Sequence, residues 1–208
     1  MRATVRVSGR LWILLLGVIA AVGIGITRRG ETAGAVWSSL WPWAVAATAA
    51  VIHEMGHLVA AWGCGVGVRG LSLDVLGARI ELSGTLSYGR ELLVAAAGPY
   101  ISLMSAATAY PFAARGGSAA AVFCGASLVL GGVNLLPVGT LDGGRMLSSA
   151  VARLWGDRAA VRVLRGTTGV CLGLLWLLSV YGLLRGGGFL SAFAFSLCLL
   201  GRLIEGEA

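Results

Sequence analysis

The chain has 208 residues, of which 57% are hydrophobic and only 12% are charged, and its mean hydropathy is +0.86. A soluble domain carries about 25% charged residues, so this composition excludes an ordinary soluble protein and indicates a polytopic membrane protein. The net charge is +7, and every basic residue is an arginine. Because the arginines lie between apolar runs, they are typical of positive-inside loops and do not indicate nucleic-acid binding.

Six apolar runs predict the transmembrane helices. A helix needs about 20 residues to cross the hydrocarbon core of a bilayer. The runs lie at about 11–27, 36–63, 92–112, 119–136, 166–184 and 187–204. We therefore predict an all-α polytopic membrane protein, with 1–208 forming a single integral membrane domain of about six transmembrane helices.

The arginines also predict the orientation of these helices. Most of them fall in segments that share one side of the membrane with the N-terminus, among them Arg2, Arg6, Arg10, Arg69, Arg79, Arg90, Arg153, Arg158, Arg162 and Arg165. Because positive loops stay inside, we expect a multi-pass protein of a bacterial cell membrane with both termini in the cytoplasm. The second helix then runs inward.

The second run contains the motif His53-Glu54-Met55-Gly56-His57, which holds the only two histidines of the chain. On a helix, residues four apart share one face, so both imidazoles can bind one Zn²⁺. Glu54 beside them can act as general base on a metal-bound water. The alternative is a hydrogen-bonded polar cluster without metal. Ionisable groups inside an apolar helix are costly, however, which favours a functional site.

Residues 67–88 break the helical pattern. Leu71, Leu73 and Val75 alternate with polar residues, and the alternation resumes after Gly77. This pattern predicts a small membrane-associated β-hairpin between the second and third helices. Its edge could receive an extended peptide by strand addition. The alternative is a connecting loop.

The third run carries Ala97-Gly98-Pro99, followed by Ser102. Small residues let helices approach closely in lipid, and a proline is expected to kink the helix. Close packing explains this segment, and no side chain in it is an obvious catalyst.

A catalytic zinc usually takes a third protein ligand, and no histidine remains. The candidate carboxylates are Asp74, Glu81, Glu91, Asp142 and Asp157. Asp142 stands out because Pro137, Gly139 and the Gly143-Gly144 pair should break the fourth helix there. Non-helical backbone at membrane depth is tolerated where it lines a cavity. The broken segment, including Pro137 and Gly143, would carry Asp142 to the zinc and bind a substrate strand. The alternative is an aspartate that caps the following helix.

The residues that carry these motifs are His53-Glu54-Met55-Gly56-His57, Ala97-Gly98-Pro99, and Asn134-x-x-Pro137 through Leu141-Asp142-Gly143-Gly144-Arg145. From about residue 45 to 150, this pattern resembles the site-2 protease family of intramembrane zinc metalloproteases. The resemblance implies a catalytic core over 36–150, made of three transmembrane helices and the hairpin at 67–88. It implies one zinc per chain, held by His53, His57 and Asp142, with Glu54 as base. It also implies that Asn134 helps to hold the substrate or the oxyanion.

The six-span layout is most similar to the sporulation branch of that family, which processes a membrane-tethered sigma-factor precursor. Members of the family often carry asparagine a few residues after Gly-Pro, where the nearby polar residue of this chain is Ser102, and a second proline before Leu-Asp-Gly, where this chain has Thr140. The chain ends at Ala208, and we expect no C-terminal nucleotide-sensing domain of the kind found in this branch.

We therefore predict a metalloendopeptidase that performs regulated intramembrane proteolysis near the cytosolic face. Its expected partners are a membrane-spanning or membrane-tethered protein substrate, such as a sigma-factor precursor or anti-sigma factor, the lipid bilayer and a membrane-protein regulator. One alternative is a membrane zinc hydrolase acting on a lipid or a lipidated peptide. The other is an inactive or metal-transporting relative.

Overall fold

The computed structural model describes residues 4–7, 33–74, 77–82 and 84–185. In this part of the chain there are three strands and five helices. The strands are β1 (Thr4–Val7), β2 (Val68–Asp74) and β3 (Gly77–Leu82). The helices are α1 (Ala33–Gly63), α2 (Tyr88–Ala114), α3 (Ser118–Asn134), α4 (Asp142–Trp155) and α5 (Asp157–Leu184).

Three of the described helices are long and apolar enough to cross a membrane: Trp37–Gly63, Tyr88–Ala114 and Asp157–Leu184. They correspond to the predicted runs 36–63, 92–112 and 166–184. The last helix begins earlier than predicted, since its arginine- and alanine-rich first turns are good helix formers although they are too polar for lipid. The predicted run 119–136 is α3, an apolar helix of 17 residues at the short end for a span. The predicted runs 11–27 and 187–204 lie outside the described residues.

The strands form one sheet in the order β1-β2-β3. β2 and β3 lie in the segment predicted as a hairpin and pair antiparallel, with Leu71 opposite Ile80. β1 pairs parallel with β2, with Val5 opposite Leu71. We did not predict β1, because its four residues lie among arginines and were interpreted as the basic segment before the first apolar run.

The chain divides into two compact units. The first unit comprises Met1–Thr85 and Tyr100–Gly131, and the second comprises Leu86–Pro99 and Gly132–Ala208.

In the second unit, α4 and α5 pack on each other around Val151, Ala152 and Ala160, which are all buried. A single residue, Gly156, joins the two helices with φ 82° and ψ 167°. This region of backbone space is essentially restricted to glycine, so the sharp reversal depends on the missing side chain. The Gly156 N–H donates to the Ala152 carbonyl at 3.0 Å and ends α4.

The predicted break after the fourth apolar run is present. α3 ends at Asn134, the chain is non-helical over 135–141, and α4 begins at Asp142. The turns are closed by hydrogen bonds from Val138 N to the Leu136 carbonyl (2.8 Å) and from Leu141 N to the Val138 carbonyl (2.9 Å). Contrary to our expectation, the Gly143-Gly144 pair does not break a helix but forms the first turn of one.

These two glycines allow the non-helical segment to lie directly on α4. A Cβ at Gly144 would lie 2.0 Å from the Val138 carbonyl oxygen, and a Cβ at Gly143 would lie 2.2 Å from that of Leu135. No Cβ atom in a well-packed protein approaches a backbone oxygen so closely, so any side chain there would displace the backbone of residues 135–139. The pair therefore fixes where α4, and Asp142 with it, begins.

Candidate metal centre

The two histidines lie on the buried face of α1. Residues at i and i+4 share one face of a helix, and His53 and His57 are 3% and 4% exposed. The same face buries the alanines one turn before and after them, Ala49 and Ala61. The opposite face carries exposed apolar side chains, namely Val51, Met55, Val59 and Trp62. An apolar face of this kind suits lipid, so the imidazoles point away from the surface that a bilayer would cover.

One nitrogen of each imidazole faces the other ring. The Nε2 atoms of His53 and His57 are 3.3 Å apart, and the ring planes are inclined by 79°. Two nitrogens that bind one tetrahedral zinc, each at about 2.0–2.1 Å, are separated by roughly 3.3–3.4 Å. The pair thus has the spacing of two ligands of a single tetrahedral ion.

The second nitrogen of His53 has its own partner. Its Nδ1 lies 2.9 Å from the Ser102 hydroxyl, which comes from α2 and is 1% exposed. Ligand histidines in proteins usually hydrogen-bond through the nitrogen that does not bind the metal. From the sequence we expected only close packing in this part of α2. A serine between Ile101 and Leu103 is not by itself a signal for such a contact.

Glu54 follows His53 on α1 and is partly buried, between the buried and the exposed faces. An ionisable side chain is costly inside an apolar helix and is usually functional there. The position next to a ligand histidine suits a carboxylate that exchanges protons at the metal.

Asp142 is the first residue of α4 and is 9% exposed. The N-cap position is Leu141, where no side-chain cap hydrogen bond is formed, and Asp142 follows it as the first helical residue. One carboxylate oxygen lies 3.7 Å from the Arg145 guanidinium one turn further on. His53 and His57 on α1 each offer an imidazole nitrogen, and Asp142 on α4 offers a carboxylate oxygen. Two imidazoles and one carboxylate make a donor set that zinc accepts, leaving its fourth position open.

The other carboxylates described in the second unit have different surroundings. Asp157 is exposed and accepts a hydrogen bond from the Tyr88 hydroxyl at 2.8 Å. Glu91 is partly buried and lines a polar cavity of about 340 Å³. The cavity is also lined by Tyr88, Gly139, Arg145, Ser148, Ser149, Ala152, Asp157 and Leu164. Arg145 therefore lies between this water-accessible space and Asp142.

The predicted substrate-binding residues surround the helix break. Asn134 is the last residue of α3 and Pro137 lies in the non-helical segment, and both are partly buried. Gly143 is buried, and its backbone packs against the carbonyls of Leu135 and Leu136. The structure shows a packing role for Gly143. Its contact with substrate stays a prediction.

Comparison with known proteins is consistent with these features. No family model matches the chain. A provisionally named zinc metalloprotease of Synechocystis sp. is 27% identical over 163 residues, which are 71% of this chain. The chain spans about two fifths (41%) of the length of that relative. Among solved structures, the site-2 protease from Methanocaldococcus jannaschii is similar with a TM-score of 0.65 and 21% identity. The likeness covers 94% of this chain and 86% of that one, so the two share a fold.

Proposed function

We propose that this chain is an intramembrane zinc-dependent endopeptidase of the site-2 type. The observation that carries the proposal is the buried pair His53 and His57, whose Nε2 atoms are 3.3 Å apart with Glu54 beside them. The fold shared with a solved site-2 protease and the similarity to a provisionally named zinc metalloprotease support it. The apolar helices support a site inside a membrane.

In this proposal His53, His57 and Asp142 hold one zinc ion. A zinc bound by three such ligands lowers the pKa of its water to about 7 and polarises a carbonyl oxygen as a Lewis acid. The two histidines bind a metal through neutral imidazole nitrogens. Arg145, 3.7 Å from Asp142, pairs with that carboxylate and helps to orient it.

Glu54 is the proposed proton carrier. Its carboxylate accepts a proton from the attacking water as the new carbon–oxygen bond forms at the peptide carbonyl. It then delivers this proton to the amide nitrogen as the carbon–nitrogen bond breaks, which leaves an amine and a carboxylic acid, and the acid loses its remaining proton to water to become a carboxylate. A glutamine at this position keeps the shape and polarity of the side chain but cannot carry the proton.

The proposed substrate is a membrane-spanning or membrane-tethered protein, cut near the cytosolic side. His57 lies six residues before Gly63, the end of α1, a depth of about 9 Å at 1.5 Å per residue. A substrate helix must unwind before hydrolysis, and unwinding costs less where water can reach the freed backbone groups. The arginine distribution supports the cytosolic orientation. The link to the sporulation branch rests on the sequence resemblance.

The test is cleavage by the Glu54→Gln variant. Wild type and variant are each expressed with a panel of single-span reporter proteins that carry a different tag at each end. We expect the wild type to shorten one or more reporters near the cytosolic end of the span. We expect Glu54→Gln to reduce this cleavage at least about 10²-fold while it binds as much zinc as the wild type.

Glu91→Gln is the matched control, because Glu91 is also a partly buried glutamate but lies on α2. It is expected to cleave like the wild type. Cleavage by Glu54→Gln at the wild-type level would contradict the proposed endopeptidase assignment with Glu54 as proton carrier. Cleavage of a lipid or lipidated reporter alone would instead point to a zinc hydrolase of another substrate class.

A further inference from the structure

Ser102 on α2 makes a polar contact with His53 of the H-E-x-x-H motif. The two residues are 49 apart in the sequence, and their Oγ and Nδ1 atoms are 2.9 Å apart. Both side chains are almost fully buried, at 1% and 3% exposure. A hydrogen bond between buried groups at this distance is well formed, and its loss leaves a polar atom without a partner.

The geometry assigns a separate task to each nitrogen of the His53 ring. Nε2 faces the Nε2 of His57 at 3.3 Å, while Nδ1 faces the serine hydroxyl. An imidazole that binds a metal through Nε2 carries its proton on Nδ1, and that proton needs an acceptor. The Ser102 oxygen is in position to accept it.

The neighbouring helix holds Ser102 in place. A Cβ at Gly131 on α3 would lie 3.2 Å from the Ser102 Cβ and 3.3 Å from the Leu103 side chain. One turn further along α2, the Ala106 carbonyl accepts a hydrogen bond from the Cys124 thiol at 3.4 Å. This close approach leaves the Cβ of Ser102 little room to shift.

Burial alone does not explain the contact. Ser127 on α3 is buried to the same degree, at 2% exposure. Its hydroxyl has no hydrogen-bond partner among the described residues. Two serines buried alike in the first unit thus differ in whether they engage the histidine pair.

We propose that Ser102 is a positioning residue for the metal centre. Its hydroxyl oxygen accepts a hydrogen bond from the Nδ1–H of His53, fixes this tautomer and the ring plane, and so presents Nε2 to the ion. This inference rests on the proposed function, because it requires that His53 binds a metal.

The first test measures zinc affinity of the full chain in detergent by competition with a chelator. We expect Ser102→Ala to bind zinc about 10–100-fold more weakly than the wild type. Ser127→Ala is the matched control, since it removes an equally buried hydroxyl without touching His53, and it should bind like the wild type. Equal affinity of the wild type and Ser102→Ala would overturn the inference and leave the proposed function standing. Absence of zinc binding by the wild type would overturn both.

A second measurement needs no variant of Ser102. His53 and His57 are the only histidines in the chain, so protein labelled with ¹⁵N-histidine gives four ring-nitrogen signals. With ¹¹³Cd²⁺ in place of zinc, we expect the coupling to cadmium at Nε2 of His53 and a bound proton at its Nδ1. Assignment of the signals uses His57→Asn. Coupling to Nδ1 of His53, or a proton on its Nε2, would overturn the inference even if Ser102→Ala failed to fold.

Discussion

At the scale of single residues, the site combines a motif visible in the sequence with a contact that is not. The spacing of His53 and His57 dictates a shared helix face, because four residues advance a helix by little more than one turn. The contact of His53 with Ser102 depends instead on where a second helix lies, and that is determined by packing at residues such as Gly131. No local pattern around Ser102 encodes this placement.

Asp142 can be compared directly with Asp157, because both are the first residue of a helix. Asp142 is nearly buried, whereas Asp157 is exposed and bonded to Tyr88. As the proposed third ligand, Asp142 should weaken zinc binding when it is changed to asparagine, by about 10-fold or more. Asp157→Asn removes the same charge from an equivalent helix position and should leave zinc affinity unchanged.

The measurement is the zinc dissociation constant of each variant by chelator competition, at one salt concentration. A similar loss in both variants would indicate a general charge effect of helix N-termini. Wild-type affinity in Asp142→Asn would show that the third ligand comes from elsewhere.

At the scale of elements, the break between α3 and α4 is the part of the fold that the sequence predicted best. Pro137 and Gly139 indicated a non-helical segment, and the chain is non-helical over 135–141. The role predicted for Gly143 and Gly144 was wrong, because a glycine in a sequence can mark either a helix break or a close approach of two backbone segments. Only the carbonyls of Leu135 and Val138, which lie against Gly143 and Gly144, decide between the two.

This packing predicts that Gly144→Ala destabilises the second unit. The added Cβ would lie 2.0 Å from the Val138 carbonyl oxygen, a backbone atom that cannot rotate away. We expect a loss of about 1–3 kcal/mol or more in the free energy of unfolding, as for other overpacked sites. The matched control is Gly166→Ala on α5, where an added Cβ would meet nothing within 4 Å.

Thermal unfolding of both variants in detergent checks this prediction. Gly166→Ala should unfold at or above the wild-type temperature, because alanine favours a helix over glycine by about 1 kcal/mol. Equal unfolding temperatures of Gly144→Ala and Gly166→Ala would contradict this prediction, because the backbone around Gly144 would then accommodate a Cβ.

At the scale of the whole molecule, composition determined the class of protein. The described residues contain three helices long and apolar enough for a membrane, and these were predicted from hydropathy alone. Hydropathy works here because lipid demands a run of apolar residues whatever the tertiary structure. The parallel pairing of β1 with β2 was not predicted, since it joins residues far apart in the chain through backbone groups that every residue carries.

The central claim is that one zinc ion is held by the H-E-x-x-H motif of α1, and metal analysis of the purified full chain tests it most directly. The account predicts about one zinc per chain in the wild type and in Glu54→Gln, because Glu54 moves protons and is not a ligand. It predicts loss of this zinc in His57→Ala, which removes one of the two facing Nε2 atoms. A wild-type chain purified without zinc, or a His57→Ala chain that keeps it, would contradict the account.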